Sequence, residues 1–416
     1  MRREGNFLGK LFRHLFYIHL LLITILVIFL TVCGVLTAAR NRHFHPEKWY
    51  ILVLSSTACA GVLGFSWQAL TGFNPSRTLK ATFWLSPLLT CSFGILLVSI
   101  GTPGSLAASV IALIFSILQS LYACWVNPRF EHSSRILKAS IAYNPLKVKT
   151  SVVLSIIAST LYSCILMAGI GGAAATRTMV DTLFIILILG SLTWTTQIIK
   201  NMMQVTVAHI KYMQFTCGIE VDFKAVVKTA AKYSMGNICF GSILIPVLTV
   251  IRGSARAVSL VSGDVDEFMF SCANCCSGVA SRIVAYGNRW ALVHVGVYNK
   301  GIVQASMDTW EMFKRAGMEK LIDSDLTSSF CFLSGVAAGS VCALLGGTWA
   351  LVIHKNYATE VCIYAFLTGY LTNRVAMAWV QASIMAYYVA YAENPQSQQF
   401  GTAIPAYMQE LQRSQV

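Results

Sequence analysis

The sequence predicts an all-α protein that crosses a membrane about ten times, and three observations predict it. Of 416 residues, 56% are apolar and only 12% are charged, against about 25% charged in ordinary soluble chains. The mean hydropathy is +0.63. The apolar residues gather into runs of roughly 20, the length a helix needs to cross a bilayer. Together these exclude a conventional soluble enzyme, a nucleic-acid-binding protein and a disordered chain. The net charge of +14 is therefore read through the positive-inside rule.

The predicted spans cover 15–38, 49–72, 80–100, 104–126, 149–175, 179–208, 233–259, 265–287, 326–353 and 360–391. The first follows Arg2, Arg3, Lys10 and Arg13. It is too long for the apolar core of a signal peptide and reads as an anchor, with residues 1–14 in the cytosol. The third and seventh contain Pro87 and Pro246, which free a backbone carbonyl and kink a helix. The sixth places Trp194, Gln197, Asn201 and Gln204 on one helical face. Amides cost free energy in hydrocarbon and must find partners. Either they hydrogen-bond between helices or they line an aqueous pathway. The eighth is interrupted by small and polar residues from Ser271 to Arg282. The ninth carries Gly335, Gly339, Ala343 and Gly347 at intervals of four, a flat ridge that admits a second backbone.

The tenth span holds Arg374 near its middle, beside Asn373. An intramembrane charge is a functional residue by default. Glu360 lies about 21 Å away along the same helix, out of reach. The partners of Arg374 are therefore expected to be carbonyls, Asn373, water or a ligand.

Ten spans from a cytosolic start return the C-terminal tail, 392–416, to the cytosol. Of 31 lysines and arginines, 23 fall in segments predicted cytosolic and 7 in outer segments, which supports this orientation. Residues 15–391 then form a single transmembrane domain. Two cytosolic loops are predicted to be helical. Near 220–232, Lys224, Lys228 and Lys232 recur every four residues opposite Phe223, Val226, Val227 and Ala230, as in a helix lying at the headgroups. Near 300–322, Ile302, Val303, Met307, Trp310 and Phe313 form an apolar stripe.

No phosphate-binding loop, H-E-x-x-H or G-x-S-x-G string is present. No enzyme activity, ATP hydrolysis or cofactor is expected. Gly169-x-Gly171-x-x-Ala174 sits at the end of a span and is a chance match to a dinucleotide loop. Cys272, Cys275 and Cys276 lack a fourth metal ligand nearby and are read as acylated or packed cysteines, with no metal site.

Several strings in the second half carry a resemblance. They are Trp194-Thr-Thr-Gln-Ile-Ile-Lys-Asn201 with Val205-Thr-Val207, Gly236-Asn-Ile-Cys-Phe-Gly-Ser242, the run from Cys272 to Asn299, Asp308-Thr-Trp-Glu-Met-Phe313, and Tyr387-Tyr-Val-Ala-Tyr-Ala-Glu-Asn-Pro395. In this order, over about 194–410, they resemble the choline transporter-like family, solute carrier family 44 in animals. The resemblance implies ten spans with both termini cytosolic, and transport of choline or ethanolamine without ATP hydrolysis. The large loop that follows the first span in animal members is absent, and Ala208-His209 replaces a family glycine. Both features suit a plant- or fungal-type member. The resemblance also implies the plasma membrane, with the trans-Golgi network or endosome as the alternative.

Choline sets its own demands. A quaternary ammonium is held by aromatic faces, at about 0.5–2 kcal/mol each, and its hydroxyl needs a polar partner. Trp194, Gln197 and Asn201, facing Tyr364, Tyr370 and Trp379, would supply both. Asn237, Asn373 and Arg374 are the further intramembrane polar or gating residues. A cation at Arg374 repels choline unless screened, and leaves open a zwitterionic or anionic solute. Membrane lipids are the expected surroundings, with no nucleic acid. A non-transporting scaffold for trafficking or lipid organisation is the reading from a different class.

Overall fold

A computed structural model describes residues 4–40, 46–142, 146–176, 180–261, 285–395, 400 and 404–408. Helices account for nearly all of them: α1 (Glu4–Arg40), α2 (Pro46–Phe73), α3 (Pro75–Ile100), α4 (Pro103–Val126), α5 (Phe130–Ile141), α6 (Leu146–Thr176), α7 (Asp181–Cys217), α8 (Phe223–Thr229), α9 (Met235–Val261), α10 (Ala291–Tyr298), α11 (Ile302–Arg315), α12 (Glu319–Asp323), α13 (Thr327–Ile353), α14 (Ala358–Ala376) and α15 (Ala378–Glu393). Among the described residues, eight helices or helix runs are long and apolar enough to cross a membrane. A bent pair, Lys355–Ala376 with Ala378–Glu393, makes a ninth. The predicted eighth span and Cys272, Cys275 and Cys276 fall almost wholly outside the described residues.

The burial pattern of α4 shows the solvent this fold is built for. Ser105, Ser109, Ala112, Ser116, Gln119 and Ala123 face inward. Val110, Ile111, Ile114, Ile117, Leu118 and Leu121 face out. A helix that hides its hydroxyls and displays its aliphatics is stable only against lipid. Its inner face hydrogen-bonds to α3. The Ser86 hydroxyl donates to Gln119 Oε1 at 2.7 Å, Gln119 Nε2 donates to Thr90 Oγ1 at 3.3 Å, and Ser116 donates to the Pro87 carbonyl at 2.8 Å.

The chain divides into two compact units. The larger holds residues 18–200 and 325–381. In it α14 packs against α13, α2, α6 and α3. The glycine ridge of α13 makes the closest contact. A Cβ on Gly339 would stand 2.7 Å from the Phe366 carbonyl oxygen, and one on Gly369 would stand 3.0 Å from the Gly339 Cα. The ridge is a packing surface, as small residues at four-residue spacing allow. Gly172 of α6 plays the same part against α1, where an added Cβ would meet the Leu30 carbonyl oxygen at 2.2 Å. A side chain on Gly171 would strike Trp49. That glycine run serves helix packing, in agreement with reading its dinucleotide-like spacing as chance.

The smaller unit holds residues 1–17, 201–324 and 382–416. The start of α1 crosses α9 at Gly9 and Gly236, where a Cβ on Gly236 would overlap the Gly9 carbonyl. Trp290 packs edge-on against Phe313 and Tyr388, at 5.8 and 5.4 Å between ring centroids.

Four expectations change. The sixth span, predicted to end at 208, continues as helix to Cys217, so Lys211, 0% exposed, lies on it rather than in a cytosolic loop. Lys200, 6% exposed, falls within the span as predicted. The lysine-bearing helix near 220–232 is not separate. Asp222 caps it, and a π-helical stretch at Ala230–Ser234 joins it to α9, because nothing in the sequence there breaks a helix. The helix near 300–322 is two, since Gly317 adopts φ +65 and turns the chain between α11 and α12. The tenth span is broken at Met377 with a bend of 41°.

Candidate functional site

The break defines the site. Arg374 lies midway in sequence between Lys355 and Glu393, the ends of the bent pair. It occupies the last turn of α14. A helix ends there with carbonyls lacking intrahelical donors and a partial negative charge, which stabilises a cation. Its stem crosses α13 where a side chain is missing: a Cβ on Gly335 would stand 3.2 Å from Arg374 Cδ and 2.9 Å from the Tyr370 ring. Arg374 is half-buried. The Met377 amide donates back to the Asn373 carbonyl at 3.0 Å, closing the turn.

Asn373 is fully buried. Neither its Nδ2 nor its Oδ1 has a hydrogen-bond partner among the described residues. Thr372 Oγ1, Ser159 Oγ and Trp67 Nε1 are buried without a partner in the same sense. These groups belong to three helices that converge. A Cβ on Gly64 of α2 would lie 3.7 Å from Thr372 Cγ2, 3.6 Å from Ile156 Cγ2 on α6 and 3.5 Å from Ala376 Cβ. Trp67 lies three residues beyond Gly64 and Ser159 three beyond Ile156, so each shares the converging face. Thr71, one turn further on α2, donates to Met377 Sδ at 3.9 Å. Buried polar groups are ordinarily paired, at a cost of about 1–3 kcal/mol each when they are not. A concentration of unpaired groups beside a helix break is therefore a polar locus in an apolar wall. Trp379, 3% exposed, follows the break.

The predicted substrate residues divide between the two units. In the larger unit Trp194 packs on His19 at 4.9 Å. His19 Nε2 lies 2.9 Å from Ser191 Oγ, which is 2.7 Å from the Tyr162 hydroxyl. Gln197 Oε1 is 3.5 Å from Lys200 Nζ. Tyr364 faces Trp49 at 6.4 Å, and Trp49 Nε1 donates to Glu360 Oε2 at 3.2 Å. Tyr370 faces Phe332 and Phe366. In the smaller unit Asn201 Nδ2 donates to Ser242 Oγ at 2.9 Å, the hydrogen-bonding alternative for that stripe. Asn237 Nδ2 donates to the Lys300 carbonyl at 3.4 Å.

Sequence reasoning missed Trp67, Ser159 and Thr372, because single hydroxyls and indoles in apolar helices carry no spacing signal. It also missed a network around Glu393 in the smaller unit. Tyr212 donates to Glu393 Oε2, and the Tyr212 and Tyr298 hydroxyls lie 2.7 Å apart. His294 Nε2 lies 3.4 Å from Glu393 Oε1, with its Nδ1 3.1 Å from Thr309 Oγ1. Outside the spans, burial raises the Asp308 carboxyl. Hydrogen bonds from Lys300, at 2.5 Å, and from Gln304 outweigh that and hold it below the usual range.

A family model described as plasma-membrane choline transporter matches residues 110–396. The chain belongs to the choline transporter-like family. The match takes in the broken span with Asn373 and Arg374, and the α7 stripe. Protein PNS1 of Mycosarcoma maydis is 25% identical over 375 residues, covering 83% of this chain and 70% of that protein. Protein PNS1 of Cryptococcus neoformans is 27% identical over 176 residues, 40% of this chain and 32% of that protein. A CTL-like protein of Dictyostelium discoideum is 22% identical over 225 residues, 52% and 40% of the two lengths. Fungal and amoebal relatives agree with the plant- or fungal-type resemblance.

Proposed function

We propose that this choline transporter-like protein carries choline or a closely related small amine across the membrane, down a gradient or coupled to one, without hydrolysing ATP. The observation that carries the reading is the break at Met377, which brings the unpaired amide of Asn373 and the Thr372 hydroxyl to the middle of the last span. Discontinuous helices of this kind supply polar contacts at mid-membrane in carriers. Trp67 and Trp379 offer aromatic surface for a quaternary ammonium, and the amide offers both a donor and an acceptor to a hydroxyl. The C-terminal dipole of α14 offsets part of the Arg374 charge. The family favours the plasma membrane with both termini cytosolic.

The test is uptake of radiolabelled choline into proteoliposomes, with excess unlabelled choline, ethanolamine or betaine as competitor. Saturable uptake blocked by choline supports the proposal. Folded protein that takes up no amine overturns it. Arg374 favours a second reading, a zwitterionic solute, and competition by betaine stronger than by choline would select it.

A further inference from the structure

A cleft of about 370 Å³ lies in the larger unit, lined by residues of α3 and α5 rather than by the helices of the break. Arg77 and Lys80 line one side from the first turns of α3. Arg135 and Lys138 line the other from α5. Each pair is spaced by three residues and so shares a helix face. Glu131 is the one acidic residue among the lining side chains, and Arg135 neutralises it at 2.5 Å. Arg77, Lys80 and Lys138 make no hydrogen bond or ion pair to a described residue. Three unpaired cations therefore share one concavity. Like charges lining one cleft repel one another, and a polyvalent anion would relieve the repulsion.

The backbone adds to this. Asn74 precedes α3 without a side-chain hydrogen bond to its first turn. Pro75 opens this 26-residue helix without an N–H, and the Thr78 amide donates to the Asn74 carbonyl, so the Ser76 and Arg77 amides are the ones left uncapped at the end where the dipole favours negative charge. The Ser134 hydroxyl donates to Ser76 Oγ and ties the two walls together.

Depth identifies the source of the anion. Trp84 lies four residues beyond Lys80 on α3, about 6 Å along the axis, and is exposed, followed by exposed Leu85 and Leu88. On the other side Trp125 is exposed, with the Arg129 guanidinium 4.7 Å over its ring. Exposed tryptophans at the ends of apolar spans sit at the headgroup layer. The cleft begins just beyond that belt.

We propose that this cleft binds the phosphomonoester headgroup of an anionic membrane lipid, such as phosphatidic acid or a phosphorylated inositol lipid. A phosphomonoester carries a charge of about −1.5 to −2 near neutral pH, which matches three unpaired cations better than the single charge of a phosphodiester. The site lies on different helices from the break, so it stands whether or not choline is the cargo.

The experiment places the full chain in phosphatidylcholine nanodiscs and measures binding of a fluorescent phosphatidylinositol 4-phosphate by anisotropy. The triple variant Arg77→Gln, Lys80→Gln, Lys138→Gln is expected to bind roughly 100-fold more weakly, at about 1 kcal/mol per interfacial cation. A control triple, Lys224→Gln, Lys228→Gln, Lys314→Gln, removes the same charge from exposed positions elsewhere and is expected to stay within about twofold of the parent. Equal losses in the two triples would overturn the site in favour of diffuse electrostatics. Phosphatidylserine binding as well as the monoester would overturn the headgroup assignment. Inorganic phosphate or soluble inositol phosphate displacing the probe at equal affinity would overturn the lipid as source. Thermal unfolding is measured on all three proteins. If the cleft triple unfolds early, Lys138→Gln alone carries the test, with an expected loss of about fivefold.

Discussion

Replacing Asn373 by leucine removes a buried amide and keeps the branched shape and heavy-atom count of the side chain. Both polar atoms of that amide lack a partner among the described residues, and the side chain is fully buried. Burying an amide unpaired costs about 1–3 kcal/mol on mutational scales. Leucine returns that cost and adds apolar contact, so Asn373→Leu is expected to raise stability by about 1–3 kcal/mol. Detergent-purified protein, followed by the fluorescence of its nine tryptophans, should unfold at higher temperature. The same preparation in proteoliposomes should lose choline uptake, because the amide is the group that would meet a hydroxyl. The two readouts move in opposite directions only if the amide is retained for function. A less stable variant would mean that Asn373 holds the break together through bonds of its own. A stabilised variant with normal uptake would remove the residue from the pathway.

Four further outcomes follow from the packing and the charges. Gly339→Val forces a side chain against the Phe366 carbonyl, 2.7 Å from the first carbon, and should destabilise by at least about 1–3 kcal/mol. Ala343→Gly on the same ridge leaves the close approach intact and should cost no more than about 1 kcal/mol. Gln119→Leu leaves Ser86 and Thr90 without their shared partner and should cost about 1–3 kcal/mol, read as a lower unfolding temperature. At Asp308 the folded carboxyl titrates below its unfolded value of about 3.9. Its stabilisation is complete above that value and is lost as pH falls through the folded one, so the stability difference between the parent and Asp308→Asn should shrink below about pH 4.

The membrane class was legible because a hydrocarbon solvent imposes length and composition on each span independently of the others. α1, α2, α3, α4, α6 and α13 lie close to their expected positions for that reason. The ridge at Gly335, Gly339, Ala343 and Gly347 was legible as well, since close approach needs small residues at a fixed interval. Arg374 and Asn373 stood out because charge and amide are rare in such a span. The convergence of Trp67, Ser159 and Thr372 was not legible. Each lies on a different helix, and nothing local to any of them specifies the other two.

The sequence by itself determined the solvent, the helical class and the family, and it singled out Asn373 and Arg374 among the polar residues. Tertiary structure alone decided which of those residues meet. Trp194 turns to His19 and Asn201 to Ser242, while Asn373 is left unpaired at a break that propensity does not mark, since Ala376, Met377 and Ala378 are all good helix formers. The reason is physical. Helix formation in lipid is satisfied within each segment, whereas pairing depends on which faces the neighbouring helices present.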